Sequence, residues 1–393
     1  MNASLLQKIS QAHTCRCGST PPIIAYAPGR VEILGNHTDY NAGLVISAAI
    51  DAGLLVSAAA APAHTCRLHA LDLQEEAFCQ LPVRAPLSKP LWANYILGVV
   101  SQLNAGREIT QGLCMVVAGD LPSGAGLSSS AALTVASALA LQALYGMRLS
   151  KLELAQLCQA AENEFSGARC GLLDQISSLY GAAQALIYTD FRYLDVATLP
   201  LPAEACFLIA HTGIQHSLVE SEYNQRRAQC EQATAFFASV LEHPVNALRD
   251  VSLEEWQQFA GRLDEVTARR ARHIIEENQR VRLGRQQLLA GDLAGFGQLM
   301  FQSHQSSRVN FENSCRELDA LVDAARELPQ ALGARLSGGG FGGSVVLLTR
   351  SADADRLSQE ISARYHALFA RPCEIRRVIP SAGARLVRHI PAV

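Results

Sequence analysis

No Gly-Lys pair occurs anywhere in the 393-residue chain. That absence removes the usual nucleotide loop, whose signature ends in Gly-Lys-Ser/Thr. Excess charge is missing as well: 33 Lys and Arg stand against 36 Asp and Glu, a net of −3. A surface so balanced offers little to a polyanion, so nucleic acid is not an expected partner. Long apolar runs are absent. The longest, Ala131 to Tyr145, is broken by Thr134, Ser137 and Gln142 and is too short to cross a bilayer, so no membrane contact is expected. The opening residues, Met-Asn-Ala-Ser-Leu-Leu-Gln-Lys-Ile-Ser, place no basic region before an apolar core, so no leader peptide and a cytoplasmic location are expected. There is no internal repeat and no low-complexity segment.

Cysteine is present, but its eleven residues have no repeating spacing. Cys114, Cys158 and Cys206 lie in apolar surroundings and read as small core residues of a cytosolic protein. His13, Cys15 and Cys17 form one short tract, too little to predict a metal site. The remaining composition, 49% hydrophobic and 18% charged, is that of a globular enzyme, long enough for two domains with sizeable cores.

The chain is organised around Gly119 to Ala132, Gly-Asp-Leu-Pro-Ser-Gly-Ala-Gly-Leu-Ser-Ser-Ser-Ala-Ala. An alternating run (Leu113, Met115, Val117) predicts a strand before it, and an alanine- and leucine-rich run predicts a helix after it. Gly124 and Gly126 can adopt the positive φ of a tight turn. Ser128, Ser129 and Ser130 then fall at the start of the helix, where unpaired amides and the helix dipole favour an anion. The pattern predicts a phosphate cradle without a lysine; the competing reading is an ordinary turn with serine caps.

Ile23 to Ala27 reads as a short strand running into the turn Ala27-Pro-Gly-Arg30. Arg30 to Gly43 is dense in polar groups and reads as a loop lining a site, between apolar strands at Leu44–Ile50 and Leu54–Ala60. Asp174 is the sole charged residue between Arg169 and Asp190, and a carboxylate among apolar neighbours is rarely left unpaired. The pattern shifts between Asp190 and Pro202, which predicts a domain change there. Ser217 to about Leu328 is mostly helical, with Arg269, Arg270, Arg272, Glu276 and Glu277 read as solvated faces. Ser337 to Gly343 satisfies G-x-G-x-x-G but precedes a strand-like run, Ser344 to Thr349. A glycine turn between two strands is therefore predicted in place of a dinucleotide fingerprint.

Together these stretches resemble the GHMP family of small-molecule kinases and, within it, the galactokinase branch. The carriers are Ala27-Pro-Gly-Arg-Val-Glu-Ile-Leu-Gly-Asn-His-Thr-Asp-Tyr-Asn41, Leu127-Ser-Ser-Ser-Ala-Ala132, Ser337 to Gly343, Cys170-Gly-Leu-Leu-Asp-Gln175 and His216 to Tyr223. The resemblance implies an α+β fold of two domains, 1–195 and 196–393, with the active site in the cleft between them. It implies transfer of the γ-phosphoryl group of ATP to the anomeric hydroxyl of galactose, with Mg²⁺, by a monomer. By the same likeness Arg30 and Asp174 match the catalytic pair. Asn36, His37, Asp39, Gly171 and Tyr223 match the sugar site, and Gly339 and Gly340 border the cleft. Trp92 matches a residue near adenine. Gly124, Ala125, Gly126, Leu127, Ser128 and Ser129 match the triphosphate loop, and Ser130 and Glu162 the magnesium ligands. A carboxylate beside an arginine is a reluctant proton acceptor, so the aspartate either takes the proton or only orients the hydroxyl.

One departure matters. Galactokinases usually carry Asn where this chain has Glu32 and Glu where it has Asn36. An amide keeps an acceptor but loses the charge, so either another sugar (a uronic acid, aminosugar or other hexose) is the substrate, or Glu32 restores the charge from nearby. A silent sugar sensor is disfavoured, because Ser128 to Ala132 is intact and Asp174 is present.

Overall fold

The apolar run at Ile23 does not stop at Ala27. In the computed structural model, which describes residues 3–105, 110–121, 126–167, 170–215 and 219–390, strand β1 continues from Ile23 to Leu34 and is buried along its whole length. Arg30 and Glu32 therefore lie on a buried strand, not in the loop that their polarity predicts. Burial is tolerable because each meets an opposite charge, Arg30 facing Asp174 and Glu32 facing Arg335. The two apolar runs that follow are likewise one strand, β2 (Leu44–Ala61), paired antiparallel with β1.

Helix α1 (Ala3–Cys17) precedes β1. After β2 come the hairpin β3 (Thr65–Ala70) and β4 (Glu75–Gln80), helix α2 (Ala93–Asn104) and strand β5 (Gly112–Gly119). Helices α3 (Ser129–Leu144), α4 (Lys151–Ser166) and α5 (Leu173–Tyr180) follow, then the hairpin β6 (Ala185–Asp190) and β7 (Asp195–Pro200). Strand β8 (Ala205–Gln215) leads into α6 (Val219–Val240), α7 (Leu253–Phe259), α8 (Glu265–Leu289), α9 (Leu293–Ser306) and α10 (Arg316–Arg326). The chain finishes with β9 (Ala331–Ser337), β10 (Gly342–Arg350), α11 (Ala354–Phe369), β11 (Glu374–Val378) and β12 (Arg385–His389).

The fold is α+β. One sheet runs β12-β1-β2-β5-β3-β4, with β6 and β7 joined to β2; all its pairings are antiparallel except β3 with β5. A second, antiparallel sheet runs β11-β8-β10-β9. One core lies between the larger sheet and α2–α5. A second, including Val31, Ile46, Ile209 and Val346, joins the two sheets. The glycine turn does connect two strands, β9 and β10. Among the described residues no helix is long and apolar enough to cross a membrane.

Helix α3 is buried at every position from Ala131 to Leu141, as expected of a helix apolar on all sides. It runs through the first core with its serine end at the cleft. Helix α8 behaves differently from its composition. Arg270 and Glu277, read above as solvent-facing, are 2% and 0% exposed. They share the inward stripe 270, 273, 274, 277, 278, 281, the i, i+3, i+4, i+7 spacing of a buried helix face.

The cysteines need one correction. Cys158 and Cys206 are free and buried, but Cys114 on β5 forms a disulfide with Cys17 at the end of α1. The tract His13–Cys15–Cys17 does not converge: His13 is buried, Cys15 is exposed, and Cys17 turns to Cys114.

Candidate active site

Arg30 lies near the middle of β1, and its guanidinium is almost fully buried. Its Nε donates to Asp174 Oδ1 at 2.7 Å and its Nη1 to the Gly126 carbonyl at 2.7 Å. Asp174 stands in the first turn of α5, and that helix is tied back to β1 by Ser178 Oγ donating to the Pro28 carbonyl at 2.7 Å. Ser128 donates to the other carboxylate oxygen of Asp174 at 2.6 Å. Strand, helix and serine turn thus meet at one carboxylate.

The serine turn approaches β1 closely because residue 29 is glycine. A Cβ there would stand 2.6 Å from the Leu127 carbonyl, the oxygen that also accepts the Arg30 backbone N–H at 3.1 Å. Ser128 precedes α3 in the left-handed region (φ 57°), and its side chain does not cap the helix. Its hydroxyl is spent on Asp174, which weighs against the ordinary serine-cap reading. Gly126 takes φ 71°, and Leu127 is buried. Gly124 and Ala125, the rest of the predicted loop, lie outside the described residues.

A cavity of about 180 Å³ opens beside Arg30 and Asp174 and is lined by Glu32, Asn36, His37, Asp39, Gly171, Tyr223 and Gly339 among others. Every residue predicted for the sugar site reaches it. Gly171 has a steric reason: a Cβ there would collide with the Asp39 carboxylate. Asp39 accepts backbone N–H bonds from Tyr40 and Leu173, yet burial, with Glu32 and Asp174 nearby, raises its pKa to about 7. His37 is kept neutral by burial, its pKa lowered to about 3. Its Nε2–H donates to the Gly339 carbonyl at 3.1 Å and its Nδ1 accepts from Tyr40 at 2.8 Å, so it braces the wall with both nitrogens engaged. Tyr223 packs on His37, ring centroids 5.0 Å apart.

Asn36 lines the cavity with its amide already committed. Nδ2 donates to Glu32 Oε1 and to the Gly338 carbonyl, and Oδ1 accepts from Asn313 and Ser307. The charge sits on Glu32, bonded to Asn36 at 3.0 Å and to the fully buried Arg335 at 2.9 Å. Both bonds use Oε1; Oε2 has no hydrogen-bond partner among the described residues. The exchanged pair therefore keeps a carboxylate at this cavity, supplied from position 32.

A second cavity, about 260 Å³, lies at the other side of the serine turn, lined by Leu54, Trp92, Tyr95, Leu133, Ser129 and Ser130 among others. Glu162 on α4 is buried behind α3 and accepts bonds from Thr134, Gln175 and Ser130. Burial, then the charge of Asp174, raises its pKa to about 7.

The sequence alone did not reveal the support supplied by α8. Glu277 Oε1 accepts the backbone N–H groups of Gly35 and Asn36 at 2.9 and 3.2 Å, and Ser303 Oγ at 2.6 Å. Oε2 accepts Arg280 Nε at 2.6 Å. His273 donates through Nε2 to the Asn36 carbonyl at 3.1 Å. Its pKa is lowered to about 4 by burial. These residues are remote in sequence, and only the i, i+3 and i, i+7 spacing from residue 270 hints that they face inward.

Models of the galactokinase galactose-binding signature, of the GHMP kinases N-terminal domain and of the GHMP kinases C-terminal domain match residues 11–60, 94–182 and 285–367. A galactokinase from Haemophilus influenzae is 40% identical over 365 residues, 92% of this chain and 94% of that protein. One from Actinobacillus succinogenes is 41% identical over 353 residues, 88% and 90% of the two chains. The chain belongs to the galactokinase family. A crystal structure of Lactococcus lactis galactokinase complexed with galactose superposes with a TM-score of 0.92 at 29% identity, covering 97% of this chain and 99% of that one. Mevalonate kinase, at a TM-score of 0.60 and 19% identity, shares the fold. The chain is accordingly a sugar kinase that uses ATP, a transferase with an alcohol acceptor; its first cavity lies between β1, α5 and the β9–β10 turn, and its second between β2, β5, α2 and the start of α3.

Glu277→Gln tests the support from α8. It removes the nearer counter-charge of the buried Arg280, leaving Glu276 at 3.4 Å, and should destabilise the fold by up to about 3–5 kcal/mol, read by denaturant unfolding. Burial opposes the Glu277 charge, but Arg280, His273 and Arg335 outweigh it and hold the carboxyl well below the usual range. The stabilisation is therefore present above the unfolded carboxylate pKa of about 4.3 and lost as pH falls below it. The gap between wild type and variant should close in acid.

Proposed function

We propose that the chain transfers the γ-phosphoryl group of ATP to the anomeric hydroxyl of D-galactose, giving galactose 1-phosphate and ADP. The observation that carries this reading is the Arg30–Asp174–Ser128 set, which stands where the smaller cavity meets the serine turn. In this reading the sugar occupies the cavity beside Asp174, and the nucleotide lies between Trp92 and the start of α3. Phosphoryl transfer asks for positioning and charge stabilisation more than covalent chemistry. Asp174 accepts the hydroxyl proton's hydrogen bond and aligns the oxygen. Arg30, whose Nη2 has no hydrogen-bond partner among the described residues, faces the phosphoryl charge. The amides of the first α3 turn receive the remaining phosphate charge, which replaces a loop lysine.

Glu32 supplies the charged contact to the outer hydroxyls of the sugar through Oε2, and Asn36 holds it in place. Because the carboxylate is conserved in charge though moved in sequence, galactose is favoured over an anionic or amino sugar. Ser130 and Glu162 fit a magnesium ion: a hydroxyl and a buried carboxylate that, among the described residues, has no cationic side chain bonded to it make the small oxygen set that Mg²⁺ takes beside phosphate and water. Bound there, the ion would offset charge on the terminal phosphates. A monomer in the cytoplasm, with domains dividing near residue 195 and β12 returning to the first sheet, completes the reading.

Three measurements test it. A panel of hexoses, uronic acids and acetylated aminosugars with ATP should release ADP best with galactose, the phosphate appearing on the anomeric carbon by NMR. Asp174→Asn should lower kcat by about 10²–10⁴-fold while ATP binding persists; near-normal turnover removes Asp174 from the chemistry. Glu32→Asp keeps a charge for Arg335 but withdraws the carboxylate, so KM for galactose should rise about 10-fold or more, a charged hydrogen bond being worth about 1.5–3 kcal/mol, with kcat little changed.

The metal assignment has its own pH signature. Mg²⁺ competes with the proton on Glu162, whose pKa is about 7. Apparent Mg²⁺ affinity in the presence of nucleotide should therefore weaken as pH falls below about 7, approaching about tenfold per pH unit. Calorimetry in buffers of different ionisation enthalpy should show proton release on binding. Glu162→Gln should abolish that release; an unchanged release in the variant refutes the assignment.

A further inference from the structure

Away from the cleft, three elements converge on a second cluster. Helix α1 ends at Cys17, β5 carries Cys114, and the neighbouring strand β3 carries His69, which pairs with Val116 two residues beyond Cys114. The two sulfurs and a ring nitrogen of His69 lie within 4.8 Å of one another. The sulfurs are joined as a disulfide, Cα atoms 5.9 Å apart. A disulfide alone needs no histidine. Yet His69 is only 5% exposed, and its Nε2 is buried without a hydrogen-bond partner among the described residues. Its Nδ1 lies 3.2 Å from Glu76 and 3.4 Å from Arg16 Nη1. With the ring proton on Nδ1, toward the nearer Glu76 carboxylate, Nε2 carries the lone pair; in the other tautomer Nδ1 accepts from Arg16. A carboxylate behind one ring nitrogen with the other free is how metal-binding histidines are oriented.

We propose that Cys17, Cys114 and His69 form a zinc-class metal site that is loaded when the cysteine pair is in its dithiol form, the disulfide being the metal-free oxidised form. Two thiolates and an imidazole suit a borderline-soft divalent cation and do not suit Mg²⁺. Loading takes two balanced steps. A small dithiol reductant gives two electrons and two protons to the S–S bond, which breaks to two thiols while the reductant closes to its own disulfide. The divalent cation then displaces both thiol protons into solvent and bonds both sulfurs and the His69 nitrogen. The fourth position remains for water. The site would pin α1 to the larger sheet in the reduced state, as the disulfide does in the oxidised one.

The test uses the full chain and Co²⁺ as probe, with a phosphine as the non-coordinating reductant. Reduced wild type should bind one Co²⁺ per chain with a thiolate-to-cobalt charge-transfer band, and its melting temperature should rise with added metal. The oxidised protein should show neither. His69→Gln and Cys114→Ser should lose the band, and Glu76→Gln should weaken affinity about 10–100-fold. Should Cys114→Ser fail to fold, Cys17→Ser, at the half-exposed helix end, replaces it. Sugar-dependent ADP release should persist in all these variants, because none of the residues lines either cavity, so loss of the metal site and loss of the kinase reading are separable. A reduced wild type without the band, or a His69→Gln variant that keeps it, overturns the proposal.

Discussion

A guanidinium cannot lie in the interior of a protein without a counter-charge, and the need of Arg30 for Asp174 orders much of what surrounds them. The pair joins β1 to the first turn of α5 across 144 residues of sequence. The remaining donors on both sides are then drawn in. Arg30 takes the Gly126 carbonyl, and Ser128 takes the second oxygen of Asp174. The serine turn is thus held from below by a charge and from the side by the Leu127 carbonyl against β1. A site that must stabilise developing negative charge gains from such pre-orientation, because its donors need not reorganise during the reaction.

The surrounding charges also say something about the substrate. Glu32, Asp39 and Asp174 face one small cavity, and among the described residues Arg30 is the cation that faces it with them. Asp39 is raised to about 7 by burial and by those neighbouring carboxylates. A neutral polyol relieves that crowding by donating hydroxyl protons, whereas a C6 carboxylate would add to it. The buried Arg335 behind Glu32, whose Nε and Nη2 have no partner among the described residues, holds the outer carboxylate in place. This acidic lining is consistent with galactose and weighs against a uronic acid.

What could be seen in the chain beforehand was what local chemistry dictates. The strand–turn–helix around Ser128 follows from apolar spacing and glycine, and the β9–β10 turn from glycine before a strand-like run. Asp174 stood out because nothing else near it is charged. What could not be seen depended on partners far away. Arg30 and Glu32 looked like loop residues because their polarity is visible locally and their counter-charges are not. Glu277 and Arg270 looked solvated for the same reason, although the seven-residue spacing that buries both was present. The Cys17–Cys114 pairing needed the approach of α1 to β5, which no spacing of cysteines encodes. The exchange of Glu32 and Asn36 reads as a loss when each position is taken alone and as a preserved carboxylate once the two side chains are seen bonded to each other.

In the proposed reaction the role of Asp174 follows from the same geometry. Both of its oxygens already accept short bonds, from Arg30 and from Ser128, so an incoming hydroxyl must share an oxygen that is not free. Full proton abstraction early in the reaction would weaken the contact to Arg30 at the moment when negative charge is growing on the phosphoryl group. A loose transition state requires little nucleophilic push, and the proton can leave late, once the oxygen–phosphorus bond has begun to form. The arrangement therefore favours an aspartate that fixes the hydroxyl's direction first and receives its proton afterwards, with Arg30 held in register throughout by the carboxylate it neutralises.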